Sequence, residues 1–103
     1  MRVEIKDDDP RHTLSIDLDA KTVRIDDKTV RLCRLEYRLL DVLGWCAGTV
    51  VSREFIAMCL YGTLDDTTLN NVKTTAGRLR RDLSAAGGRN YIKCIRDAGY
   101  MLA

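Results

Sequence analysis

The feature that most constrains this chain is an apolar series in its C-terminal half. Leu69, Val72, Ala76, Leu79 and Leu83 recur at intervals of three, four, three and four residues. An α-helix gathers such positions into one stripe, here within roughly 80° of arc at about 100° per residue. The spacing predicts a long helix over 67–86, with Asp65-Asp66-Thr67-Thr68 offering caps at its start and Gly87-Gly88 closing it. A helix with one narrow apolar stripe packs on that stripe and leaves its other side free.

The free side points to a polyanion. Opposite the apolar stripe lie Asn70, Thr74, Arg78 and Arg81, with Gly77 beside them, Asn71 and Thr75 on one flank, and Arg80 nearer the side. Arginines fork onto guanine edges or phosphates, amides suit adenine edges, and small hydroxyls permit close approach. Exposed helical faces ordinarily mix Glu with Lys for support, yet this face holds no acid, and Asp82 comes a turn too late to neutralise its first half. Gly77 costs a helix interior about 1 kcal/mol relative to alanine, which close approach of a partner would offset. The charge distribution agrees. Residues 1–69 carry ten Lys/Arg against thirteen Asp/Glu, whereas residues 70–103 carry seven against two.

The rest of the chain reads as an α+β frame for that helix. Over residues 1–32, Val3 and Ile5, Leu14 to Leu18, Val23 and Ile25, and Val30 and Leu32 alternate with polar neighbours, which predicts an antiparallel sheet of about four strands. Asp8-Asp9-Pro10, Asp19-Ala20-Lys21 and Asp26-Asp27-Lys28 are its turn candidates, and His12 reads as a surface strand residue. A first helix is expected near Arg34–Ala47, its stripe formed by Leu35, Leu39, Val42, Leu43 and Cys46, with Gly48 as a left-handed cap. Cys33 and Glu36 hold capping-box positions, although cysteine caps poorly. Thr49-Val50-Val51 is an extended link. Ser52 then caps a second helix to about Leu60, with Phe55, Ile56, Cys59 and Leu60 turned inward, and Trp45 is expected to be partly buried. Tyr91, Ile92 and Ile95, a turn at Asp97-Ala98-Gly99, and Tyr100-Met101-Leu102 make a closing hairpin, with Tyr100 as a core anchor.

The 103 residues fit one domain, 1–103, divided into a sheet (1–32), three helices (33–86) and a hairpin (89–102). No apolar stretch approaches the roughly 18 residues that span a bilayer, and the first residues lack an apolar signal region, so a cytoplasmic location is expected, nucleoid-associated if the polyanion that the long helix meets is DNA. Four scattered cysteines and one histidine give no metal-ligand spacing; the thiols read as reduced and structural, Cys33, Cys46 and Cys59 within patterns that usually bury them. No nucleophile–base pair, paired carboxylates or phosphate-cradling glycine loop is legible. Neither catalysis nor a cofactor is expected.

Four segments, in order, resemble the effector domain of OmpR/PhoB-type response regulators: Val30-Arg31-Leu32-Cys33-Arg34-Leu35-Glu36-Tyr37-Arg38-Leu39-Leu40, Gly48-Thr49-Val50-Val51-Ser52-Arg53-Glu54, Leu79-Arg80-Arg81-Asp82-Leu83, and Tyr91-Ile92-Lys93-Cys94-Ile95-Arg96-Asp97-Ala98-Gly99-Tyr100. Leu60-Tyr61-Gly62 and Gly87-Gly88-Arg89-Asn90-Tyr91-Ile92 look most like the alphaproteobacterial cell-cycle regulator (CtrA) branch. The resemblance covers about residues 12–102 and includes no receiver domain. It implies a winged helix-turn-helix that binds double-stranded DNA and regulates transcription, with the helix at 67–86 in the major groove and the hairpin as a wing. Asn70, Asn71, Thr74, Thr75, Arg78 and Arg80 match its DNA-contacting positions, and Arg96 its minor-groove wing arginine; Arg81 joins them by position on the helix. The loop Tyr61-Gly62-Thr63-Leu64-Asp65-Asp66 matches the segment that meets RNA polymerase or its sigma subunit. Pairing in tandem on DNA is the family habit. Three residues depart from the family pattern: Cys33 for a threonine cap, Gly77 where a larger or basic residue is common, and Asp97 for the glycine beside the wing arginine. The alternative reading is a protein-interaction module that keeps the fold and binds polymerase or another regulator.

Overall fold

The computed structural model describes residues 2–6, 13–17, 22–25, 28–87 and 90–102. The turn candidates at 8–10, 19–21 and 26–27, together with His12, Gly88 and Arg89, lie outside the described residues. Strands β1 (Arg2–Lys6), β2 (Thr13–Asp17), β3 (Thr22–Ile25) and β4 (Lys28–Val30) form an antiparallel meander in sequence order. Its register aligns Val3 with Ile16, Ile16 with Val23, and Val23 with Val30, while Ile5 meets Leu14 and Leu14 meets Ile25. The period-two apolar positions thus fall on shared rows, and a slip of one residue would reverse every one of them. Val23 and Ile25 are buried in the core.

Helix α1 spans Arg34–Trp45, two residues short of the expected end. The chain leaves the helix at Cys46 and turns through Ala47, and Gly48 takes its left-handed φ of 81° in the connection rather than at the cap. The Gly48 N–H donates to the Leu102 carbonyl at 2.9 Å, which draws the chain toward the hairpin. The buried face of α1 also differs from the stripe read in the sequence. Leu39, Leu40, Leu43 and Gly44 are buried together with Glu36, whereas Leu35 and Val42 are half-covered. Cys33 supplies no side-chain cap, although the Glu36 carboxylate accepts from the Cys33 backbone N–H, so half of the capping box forms. A lost cap costs about 1 kcal/mol, less than the 1.5–3 kcal/mol or so from burying each of Leu39, Leu40 and Leu43. Packing rather than capping holds α1.

Helix α2 (Arg53–Tyr61) starts as expected at Ser52, whose hydroxyl accepts from the Phe55 N–H at 3.1 Å, and ends on Gly62 at φ 74°. Helix α3 (Asp66–Gly87) follows, then β5 (Ile92–Ile95) and β6 (Gly99–Leu102), paired antiparallel. All three helices contact one another, and α3 also touches β3, β4 and β5, so one core joins the sheet, the helices and the hairpin.

Candidate nucleic-acid interface

Two reciprocal hydrogen bonds fix the start of α3. The Asp65 carboxylate accepts from the Thr68 N–H at 2.8 Å, and the Thr68 hydroxyl accepts from the Asp65 N–H at 3.0 Å. Val72, Ala76, Leu79 and Leu83 are buried, as the periodicity requires, with Leu69 half-buried. The helix therefore cannot rotate without exposing its stripe. That leaves Asn70, Asn71, Lys73, Thr74, Arg78, Arg80 and Arg81 exposed. The Thr74 hydroxyl donates to the Asn70 carbonyl at 3.2 Å, so acceptor lone pairs and a methyl remain for an incoming group. Asp82 is half-buried and lies near the buried Glu36 of α1, whose pKa its carboxyl helps to raise.

Thr75 departs from the sequence reading. It is only 5% exposed, and its hydroxyl lies 3.5 Å from that of Tyr61. The buried arc of α3 is wider than its apolar stripe because α2 packs against α3 and its Tyr61 meets Thr75. Thr75 is thus not displayed with its neighbours. Tyr61 likewise is the last residue of α2 and half-buried, and Asp66 is the first of α3. The exposed loop between the helices is Gly62-Thr63-Leu64-Asp65.

The hairpin is tied to the helices through the link that precedes α2. Val51 donates to and accepts from Tyr100 at 2.8 and 3.0 Å, which adds a third strand-like segment beside β6. At Gly99, φ 150°, an added Cβ would be driven into the Val51 carbonyl, so only glycine allows this approach. Tyr91, Ile92, Tyr100 and Leu102 are buried. At the exposed tip, Arg96 precedes Asp97, a non-glycine residue at φ 61°. This left-handed conformation suits glycine, and aspartate is among the few residues that tolerate it.

Between α3 and the hairpin runs an open groove of about 700 Å³. Lys73, Gly77, Arg80 and Arg81 line it from the helix, and Cys94 and Tyr100 from the hairpin. A smaller recess of about 200 Å³ continues to the tip and brings Arg53 and Lys73 beside Arg96. The sequence reading passed over Lys73 and Arg53. Lys73 shares the helical flank of Gly77 and Arg80, a signal that gains meaning only once the hairpin is placed along that flank. Burial raises the Tyr100 pKa, with the Cys94 thiol adding to the rise and the Arg53 and Arg80 guanidinium groups opposing it.

Several expected interior residues lie outside. Phe55 and Cys59 are exposed, and the buried face of α2 is Ile56, Ala57 and Leu60. Trp45 is 63% exposed. Cys33 is exposed as well; it, Cys59, the exposed Cys94 and the half-buried Cys46 are free thiols.

Three helices, an N-terminal antiparallel sheet and a C-terminal hairpin flanking a basic third helix define a winged helix-turn-helix domain. A family model described as "Transcriptional regulatory protein, C terminal" matches residues 27–102. The "Cell cycle response regulator CtrA" proteins of Brucella anthropi and Brucella ovis are each 34% identical over 90 residues, covering 86% of this chain and 39% of theirs. The chain thus spans about two fifths of the length of these relatives. Among solved structures, the Klebsiella pneumoniae RstA DNA-binding domain in complex with RstA box matches with a TM-score of 0.77 and 28% identity, over 87% of this chain and 90% of that one. The DNA-binding domain of CpxR from E. coli matches with a TM-score of 0.76 and 25% identity, over 96% and 94%. The chain belongs to the OmpR/PhoB-type winged-helix family of DNA-binding transcription-regulator domains.

Proposed function

We propose that the chain binds duplex DNA sequence-specifically, with α3 in the major groove and the β5–β6 hairpin toward the adjacent minor groove. The single observation that carries this reading is the exposed face of Asn70, Thr74, Arg78 and Arg81, which is free of acids and held rigid by the core beneath it. A major groove about 12 Å wide admits one helix and displays the acceptor pairs that a guanidinium reads. Arg78 and Arg81, with Asn70 and Asn71, take base edges or phosphates; Arg80 and Lys73 take phosphates; Arg96 reaches the minor groove. Thr75 acts only by positioning Tyr61. Residence on the nucleoid follows from such binding, and tandem pairing on repeated sites accords with the family.

The exposed loop after α2 supports a second contact. Leu64 is 50% exposed beside Asp65 and Asp66, and Phe55 and Met58 are exposed on α2. An apolar side chain flanked by acids fits a protein surface better than a phosphate backbone. We assign this loop to RNA polymerase or its sigma subunit, as an adjunct to DNA binding.

The test is Arg78→Ala, measured on a duplex enriched by the wild-type protein from a random pool and on its scrambled counterpart. A base-edge contact loses about 1–3 kcal/mol on the enriched duplex alone, and a phosphate contact weakens both alike. Unchanged affinity for both removes Arg78 from the interface and with it the proposed reading of α3.

A further inference from the structure

Gly77 lies in the interior of the 22-residue α3, where a residue without a Cβ weakens the helix. Nothing among the described residues requires it there. Its backbone is not left-handed, and a Cβ added at this position meets no atom within 4 Å. The glycine therefore makes room for none of the described residues of the free protein. The room opens into the groove between α3 and the hairpin, whose helix side carries Lys73, Arg80 and Arg81 together with Asn70, Thr74 and Arg78 of the exposed face.

Duplex geometry says what fills that groove. A major groove and the minor groove beside it are separated by one sugar-phosphate strand. If α3 enters the first and the hairpin reaches the second, that strand runs between them, along a channel lined with cations. We infer that Gly77 is the seat of this strand: the missing side chain lets one sugar-phosphate unit lie against the α3 backbone while Lys73, Arg80 and Arg81 neutralise it. The inference rests on the DNA-binding reading and adds a residue that sets how closely the duplex approaches.

A seat for the strand, unlike a base contact, is indifferent to sequence, and it opposes helix stability. Gly77→Ala is expected to raise Tm by about 4–8 °C, because alanine favours the helix and its methyl meets open space. The same variant is expected to bind DNA about tenfold or more weakly, on the enriched duplex and on a random-sequence duplex at low ionic strength alike. Gly77→Leu is expected to weaken both further. A stabilised Gly77→Ala that binds both duplexes like wild type overturns the seat and leaves DNA binding intact. A loss confined to the enriched duplex also overturns it, because Gly77 then faces a base. A fall in Tm shows that the space is not open in the free protein and overturns the argument at its first step. If the folded wild-type protein binds neither duplex, the DNA reading fails and the seat with it.

Discussion

Replacing Asp97 with glycine separates what the hairpin tip does for the fold from what it does for a polyanion. Asp97 sits at φ 61° with its side chain exposed, one residue after Arg96. Glycine adopts this conformation without a Cβ penalty, a gain that its larger unfolded-state entropy offsets. Stability should therefore stay within about 0.5 kcal/mol, or about 3 °C in Tm. Binding should not stay level. A carboxylate about 7 Å from a phosphate repels it by about 0.6 kcal/mol in water, and within the Debye length of about 8 Å that repulsion is only partly screened. Asp97→Gly should thus bind duplexes about 1.5-fold more tightly at moderate salt, approaching about threefold at low salt. The gain should be similar for enriched and scrambled sequences, and larger as salt is lowered. Fluorescence anisotropy across a salt series, beside a thermal melt, reads both quantities. Unchanged or weaker binding by a folded Asp97→Gly would place the tip away from the DNA backbone and refute the docking of the wing.

Two further outcomes test the frame. Gly99→Ala forces a Cβ into the Val51 carbonyl and breaks the bridge that holds β6 to the link before α2, so Tm should fall by more than about 10 °C; a fall of only a degree or two would mean that the bridge does not anchor the wing. Burial, with the Asp82 carboxyl adding to it, raises the Glu36 pKa above its ordinary 4.5. The folded protein holds this proton more tightly than the unfolded chain, so the associated stability is full below that ordinary value and is lost as pH rises through the raised folded value. Glu36→Gln, which cannot ionise, should raise Tm by about 3–6 °C near neutral pH, with the gain shrinking as melts are repeated toward pH 4; an equal gain at every pH would show that the carboxyl's charge is not the cause.

Periodicity made α3 legible because its core contacts are apolar and evenly spaced, and the exposed face followed by subtraction. The four-strand meander was legible for the same reason, with alternation that matches the observed register. The misreadings share one cause, which is contact with a distant element. Thr75 is polar, so no apolar count marks it for burial, yet Tyr61 at the end of α2 meets it. On α2, hydrophobicity ranks Phe55 above Ala57, but the small alanine is the one fully buried. Glu36 reads only as a capping-box residue, and its burial near Asp82 depends on α3. The link at Thr49–Val51 looks like a passive connection, and its bond to Tyr100 depends on a hairpin that comes far later in the chain.

That link has a functional consequence. A protein reading two grooves at once gains most when the helix and the wing are already at the right separation, because no ordering cost then falls on binding. Here Val72, Ala76, Leu79 and Leu83 fix the helix from beneath, and Val51, Tyr91, Tyr100 and Leu102 fix the hairpin to the same core. Gly77 and Asp97, which depart from the family pattern, lie outside this scaffold, one on the groove wall and one at the wing tip. Neither takes part in holding helix to wing; on the proposed docking, the first would set the depth and the second the charge that an approaching duplex meets.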